Sequence, residues 1–275
     1  MARRQTRRRG KSEFGVAAIA GIALLALALM AFAGLAAFYF SAPRKPTLDA
    51  QSLCPTSGPE GISVVLVDTS DDLPETSKRE VLGILDDLIT GLPEYYRLEI
   101  RTLDLASART KVMFSKCNPG NGEGLSEWTE NPRIARLRWI ESFRKPVSEA
   151  VRSSLSGSGA NASPIMAAIQ DIAIDQFSSV GNQKTNKKLT VISDMIEYTR
   201  DYSQYPRAGD LSYQRFRSSA AYLNYRTDLH GASVDIRYVQ RKDVNLDTAK
   251  HIEFWRDWIV DNKGVFDGAR RLQGR

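Results

Sequence analysis

The sequence has little of what several functional classes require. Its two histidines, His230 and His251, stand apart from one another and from the cysteines. Neither a zinc ligand set nor a histidine-based triad can be built from them. No glycine-rich phosphate-binding motif occurs, and there is no internal repeat. Excess charge is also missing from most of the chain. Five of the six net positive charges come from residues 1–14, where Arg3, Arg4, Arg7, Arg8, Arg9 and Lys11 face only Glu13. The remaining 32 basic and 31 acidic residues nearly cancel. A basic isoelectric point therefore reports the tail, and a nucleic-acid-binding surface is not expected.

What the sequence has is one long apolar run. Phe14 to Phe40 contains 27 residues and no charge. About 20 apolar residues span the hydrocarbon core of a bilayer, and only a helix satisfies its own backbone there. Six cations precede the run, while Arg44 and Lys45 are the only ones that follow closely, so the tail is expected in the cytoplasm and the rest across the membrane. Ala31-Phe32-Ala33 resembles a signal-peptidase site, but the apolar core is far longer than the roughly 7–15 residues of a cleaved signal. The expected organisation is a basic cytoplasmic tail at 1–13, a transmembrane helix at 14–40, a Pro/Ser-rich stalk at 41–60, a folded domain at 61–265 and a tail at 266–275.

The folded part alternates strands and helices. Ile62–Val67 is a continuous β-branched run, as in a strand buried on both faces, and it ends in Asp68. A helix follows from Pro74, with Val81, Leu85, Leu88 and Leu92 on one face and Gly91 and Pro93 closing it. Leu98–Leu103 alternates as a second strand. Lys111–Ser115 follows too soon for a crossover and is expected as an antiparallel edge. A long helix over Pro132–Leu155 is interrupted at Pro146. A further helix from Ser163 carries Ile165, Ala168, Ile169, Ile172 and Gln176 on one stripe. Lys188–Ser193 and Val234–Val239 are later strands, and Leu246–Lys263 is a last helix whose Trp255 and Trp258 should pack on the sheet. This order predicts an α/β fold: a doubly wound, mostly parallel sheet with one antiparallel edge strand.

Three oxygen-rich segments fall at loops of such a sheet: Asp68-Thr69-Ser70-Asp71-Asp72, Gly159-Ala160-Asn161-Ala162-Ser163 and Ser193-Asp194. In doubly wound sheets ligands sit beyond the carboxyl ends of strands, where strand order reverses. If the Lys188 strand lies beside strand one, all three loops meet in one crevice. Carboxylates and hydroxyls are hard donors suited to Mg²⁺. The same residues also make ordinary turns and helix caps. Asn161-Ala162-Ser163 fits the glycosylation triplet too, a short pattern that is common by chance.

The segments VVLVDTSDD, GANASPIMAAI and VISDM together resemble the von Willebrand factor A domain with its metal-ion-dependent adhesion site. By position, Asp68 and Ser70 match the opening of that family's first motif, Ser163 its second-loop Thr, and Asp194 its later Asp. Asp72 stands where the family usually has Ser, and Met195 where a Gly commonly follows the later Asp. The resemblance implies Mg²⁺ or Mn²⁺ held by Asp68, Ser70, Asp72, Ser163 and Asp194. It further implies a carboxylate from a protein partner completing the shell, and an adhesion or scaffold role without catalysis.

Six of the ten tyrosines lie between Glu197 and Asp228, interleaved with Arg200, Arg207, Arg215, Arg217 and Arg226. Tyr and Arg are enriched in interface cores, so Tyr198, Arg200, Tyr202 and Tyr205, beside the third loop, are expected partner contacts. The alternative is a helix with its tyrosines packed on the sheet. Cys54 and Cys117 both fall at the amino-terminal edge of the sheet, where a bridge would tie the stalk to it; free thiols are the alternative. Two further functions remain open: a metal-free structural component of an envelope complex, and a Mg²⁺-dependent phosphohydrolase using Asp68 as nucleophile. The latter is weakened by Ser70, since haloacid-dehalogenase-like sites want Asp two positions after the nucleophile.

Overall fold

The computed structural model describes residues 15–41, 45–70, 74–104, 109–125, 131–155, 162–179, 185–205, 211–241 and 244–272. The chain divides into two units, Met1–Lys45 and Pro46–Arg275. In the first, α1 (Val16–Ser41) is one helix of 26 residues without a charged side chain. At 1.5 Å per residue it is about 39 Å long, more than the ~30 Å of a bilayer's hydrocarbon core. Its apolar side chains are exposed around the whole circumference. Among the described residues it is the one helix long and apolar enough to cross a membrane.

The second unit is built on a six-stranded sheet. Its strands are β1 (Gly61–Val67), β2 (Tyr96–Asp104), β3 (Arg109–Cys117), β4 (Asn186–Ser193), β5 (Ser233–Tyr238) and β6 (Val265–Arg271), in the order β3-β2-β1-β4-β5-β6. Every neighbouring pair is parallel except β2 and β3. The fold class expected from the alternation is the one observed, including the antiparallel edge.

β1 is buried along its whole length because both faces of the sheet are covered. Ile62, Val64 and Leu66 enter one core, with Ile165, Ile169 and Ile172 of α5 (Ile165–Ile172) and Phe254, Trp255 and Trp258 of α8 (Thr248–Asp261). Two short helices, α6 (Tyr213–Arg217) and α7 (Ala220–Tyr225), close that side through Phe216 and Tyr225. Val65 and Val67 enter the other core, with Val81, Leu85 and Ile89 of α2 (Glu75–Thr90). β2 divides its side chains the same way. Leu98 and Ile100 join the α2 core, while Glu99 and Arg101 point under the end of α5. There Arg101 pairs with both Glu99 and Asp175, so the buried charges compensate one another.

The predicted long helix is present as α3 (Pro132–Trp139) and α4 (Lys145–Ser154), joined by a π-type turn at Ile140–Arg144. Pro146 has no N–H for the Ser142 carbonyl. The turn absorbs this: Lys145 N–H reaches back to the Ile140 carbonyl, and Lys116 Nζ approaches the Ser142 oxygen at 3.5 Å. The helix is therefore widened ahead of Pro146 and continues through it.

Three sequence expectations need correction. The stalk at 41–60 is not a free linker, because residues 46–60 belong to the folded unit. Leu48 bridges Pro55, Thr56 N–H donates to the Thr47 carbonyl, and Cys117 N–H donates to the Ser52 carbonyl. The segment expected as a tail at 266–275 instead supplies β6. This edge strand shows little apolar periodicity because its side chains are largely half-buried or exposed. Ser163 precedes its helix, lying in extended backbone paired with Tyr198.

Cys54 and Cys117 form a disulfide with a Cα–Cα distance of 4.7 Å. The bridge is reached because β3 ends beside the folded stalk, where Cys117 N–H donates to the Ser52 carbonyl. The bridge closes a loop with a sequence separation of 63, and chain entropy assigns such a loop about 4 kcal/mol at most. The double substitution Cys54→Ser/Cys117→Ser should lower the unfolding free energy by about 2–4 kcal/mol in urea titrations of the full chain in detergent. An unchanged midpoint would mean that the stalk docks independently of the bridge.

Candidate functional site

β1 and β4 are neighbours, and the chain leaves them in opposite lateral directions, towards β2 and β5. Their carboxyl ends therefore form the switch-point crevice of the sheet. Asp68 follows β1 directly and is fixed by its own N–H, which donates to the Ile192 carbonyl on β4 at 2.9 Å. Its carboxylate is buried at the centre of a hydroxyl cluster. Oδ1 accepts from Ser70 N–H at 2.9 Å and from Ser70 Oγ at 2.6 Å. Oδ2 accepts from Ser193 Oγ at 2.6 Å and from Ser163 Oγ at 3.3 Å. Residues separated by up to 125 positions thus converge on one carboxylate.

Ser163 reaches this point through a backbone bridge. Its N–H donates to the Tyr198 carbonyl at 2.8 Å, and Tyr198 N–H returns a bond of 3.0 Å. The segment after β4 is folded into a tight turn by Gln204 N–H to the Glu197 carbonyl and Thr199 N–H to the Tyr202 carbonyl. Met195, where the resemblance expects Gly, has φ +61°. The left-handed backbone that glycine favours is kept, at a strain of about 1–3 kcal/mol for a side chain such as Met. Burial of Met195 in the α5/α8 core and a bond from Trp255 Nε1 to its carbonyl hold it there.

Asp194 stands at the same strand end, turned differently. Oδ1 accepts from Ile196 N–H at 2.9 Å, and Oδ2 lies 3.5 Å from Arg241 Nη1. Of the five residues implied by the resemblance, Asp68, Ser70 and Ser163 are in direct contact, and Asp194 borders them with a guanidinium beside it. Asp72 lies outside the described residues. The gathered oxygens, a carboxylate and hydroxyls, fit the donor chemistry of Mg²⁺ or Mn²⁺. Among the described residues no group of three His, Cys, Asp or Glu side chains is suited to a metal, so any ion here would depend on the hydroxyls.

The expected partner contacts separate into two kinds. Tyr198, 43% exposed, meets Tyr205 edge-on at 5.3 Å between ring centroids, and Arg200 is exposed. Tyr202 turns inward instead, against Phe216 and Phe254.

Three contributors have no signal in the sequence, and Ser193 enters its reading only as part of the third loop. Arg241 lies in a loop without pattern. Glu197 is fully buried beneath the site; Oε2 accepts from Met166 N–H at 2.8 Å at the start of α5, and Oε1 has no hydrogen-bond partner. His251, also fully buried, links Tyr238 at 2.9 Å and Gln204 at 3.1 Å and so braces the turn from α8. Burial pushes the Glu197 carboxyl up to about 8, against the Met166 and Ile165 amides, and the Asp68 charge adds to the rise. Burial also pulls His251 down to about 4.

No protein-family model matches the chain, and no curated protein sequence does. Among solved structures, a von Willebrand factor type A protein from Catenulispora acidiphila is similar at 13% identity and a TM-score of 0.41, over 77% of this chain. This chain spans only 39% of that structure's length. An aerotolerance-related membrane protein from Bacteroides fragilis, carrying multiple mutations to serine, is similar at 12% identity and a TM-score of 0.35, covering 78% of this chain and 92% of its own. The conserved hypothetical protein BatB from Bacteroides thetaiotaomicron is similar at 11% identity and 0.40, covering 78% and 91%.

The two buried groups set opposite limits on stability. His251 is depressed below its ordinary value of 6.5, so its contribution is complete above that pH and is lost as pH falls towards 4. Glu197 is raised above 4.5, so its contribution is complete below that pH and is lost as pH rises towards 8. Between 4.5 and 6.5 the two slopes oppose each other. In metal-free buffer, urea unfolding of the full chain should lose about 2 kcal/mol between pH 6.5 and 8. Glu197→Gln should abolish that loss; if the alkaline slope persists in the variant, Glu197 is not its source.

Proposed function

We propose that this is a membrane-anchored domain of von Willebrand A type whose Asp68 rim binds a protein partner in a divalent-cation-dependent manner on the non-cytoplasmic side. The convergence of Ser70, Ser163 and Ser193 hydroxyls on the Asp68 carboxylate carries the reading. Asp68, Ser70 and Ser163 would hold Mg²⁺ or Mn²⁺, with Asp194 and Asp72 adding negative charge, and the ion would offer its remaining position to a partner carboxylate. Exposed Tyr198 and Arg200, beside the cluster, would widen the contact. The apolar α1 supplies the anchor, and the six cations before it favour a cytoplasmic amino terminus. The role is binding rather than catalysis, since Ser70 stands where a phosphohydrolase using Asp68 would want a second Asp.

Arg241 favours a second reading, in which its guanidinium supplies the positive charge at Asp194 and the rim works without metal as part of an envelope complex. Titration calorimetry of the full chain in detergent with Mg²⁺ or Mn²⁺ separates the two. The first reading expects binding heat, weakened at least about tenfold by Asp68→Ala through loss of a charged ligand, and tighter binding in Arg241→Ala. Absence of heat in both the natural chain and Arg241→Ala would leave the metal-free reading.

A further inference from the structure

Helix α3 overhangs the sheet. Trp139 is its only buried residue, whereas Arg133, Ile134, Arg136, Leu137 and Arg138 are exposed, Ile134 and Leu137 each at 54%. Seven residues before Trp139 correspond to about 10 Å of helix projecting past the packed core. Ile134 and Leu137 are one turn apart and form a small apolar stripe between arginines. Further along the helix, Arg144 is paired with Asp86 and Lys145 with Glu141. Among the described residues no carboxylate pairs with Arg133, Arg136 or Arg138. A helix with leucine-type side chains flanked by arginines is the composition that lies in a headgroup layer.

The position of this overhang matters more than its composition. Trp139 Nε1 donates to Asn118 Oδ1 at 2.8 Å, and Asn118 follows Cys117, the residue bridged to Cys54 of the folded stalk. A Cβ built on Gly122 would lie 2.8 Å from the Pro132 carbonyl and 3.0 Å from Ala135 Cβ, so the loop after β3 is packed against the first turn of α3. The overhang therefore projects from the rim where the stalk enters, opposite the Asp68 rim. Four residues, 42–45, join α1 to Pro46. Five Cα steps of 3.8 Å reach about 19 Å at most.

We propose that the Arg133–Arg138 face of α3 docks on the anionic phospholipid headgroups surrounding the protein's own anchor. The three arginines meet lipid phosphates while Ile134 and Leu137 enter the headgroup boundary. Each arginine near an anionic surface adds attraction that salt screens and that neutral lipid lacks. The inference rests on α1 being a membrane anchor.

The test is hydrogen exchange of the full chain, one copy per nanodisc, in phosphatidylcholine alone and in phosphatidylcholine with 30% phosphatidylglycerol. The expected result is about tenfold slower amide exchange at 132–139 in the anionic discs. The difference should disappear at high salt, in Arg133→Gln/Arg136→Gln/Arg138→Gln, and, as a second variant set, be reduced in Ile134→Ser/Leu137→Ser. All five side chains are exposed, so exchange in β1 and β4 should stay unchanged as the folding control. Equal exchange in both lipids overturns the docking and leaves the anchor intact. Protection independent of lipid, but lost in arginine variants, also overturns it and points to a protein partner. Failure of the chain to enter discs overturns the anchor and the docking together.

Discussion

The Asp68 carboxylate is the point at which three distant stretches of chain are held to one another. A buried carboxylate needs compensation, and here it comes from hydroxyls rather than from a neighbouring cation. Each donor arrives by a different route. Ser70 is carried by the turn after β1, Ser193 by the end of β4, and Ser163 by its backbone bridge to Tyr198. The parallel pairing of β1 with β4 is what makes this possible, because it puts two strand ends side by side on one rim. Hydroxyls can rotate and accept as well as donate. Under the proposed function, the same hydroxyls would turn from their bonds with Asp68 to supply oxygen ligands to a cation.

The layer beneath that cluster is polar and nearly closed. Glu197 caps the first turn of α5, and its own backbone N–H is bonded by Gln204. His251 from α8 ties Gln204 to Tyr238 of β5, and Trp255 secures the Met195 carbonyl. Networks of this kind fix a geometry rather than add net stability, because each member is costly if left unmatched. The network is incomplete at Glu197 Oε1 and at Gln204 Nε2, and burial of Glu197 keeps its carboxyl protonated to unusually high pH.

The alternation of strands and helices was legible because burial on both faces demands unbroken β-branched runs such as Ile62–Val67, and these stand out. Asp68 and Ser70 could be singled out because a strand end followed by hydroxyls narrows the choice, whereas Ser163 is distinguished within its loop only through the resemblance to the von Willebrand A motif. What escaped had no periodic signature. β6 is an edge strand of mixed side chains, so the stretch after Val265 reads as a tail. Glu197 sits among tyrosines and arginines that suggest a surface, yet the turn around it folds inward and buries it completely. Tyr202 belongs to the same stretch and packs on Phe216 for the same reason. Arg241 is set beside Asp194 only by the neighbouring positions of β4 and β5, which no local pattern encodes.

The stalk enters at one rim of the sheet and the Asp68 cluster lies at the other, with β1 running straight between them. A pull applied between Asp68 and the first residues of the folded unit is therefore directed along the strand axis. It loads the β1–β2 and β1–β4 ladders in shear, so that many backbone bonds must fail together rather than one by one from an end. The Cys54–Cys117 bridge diverts part of that load into β3, on the far side of β2. A strand loaded from opposite ends in this way resists being pulled much better than one peeled away from a single edge.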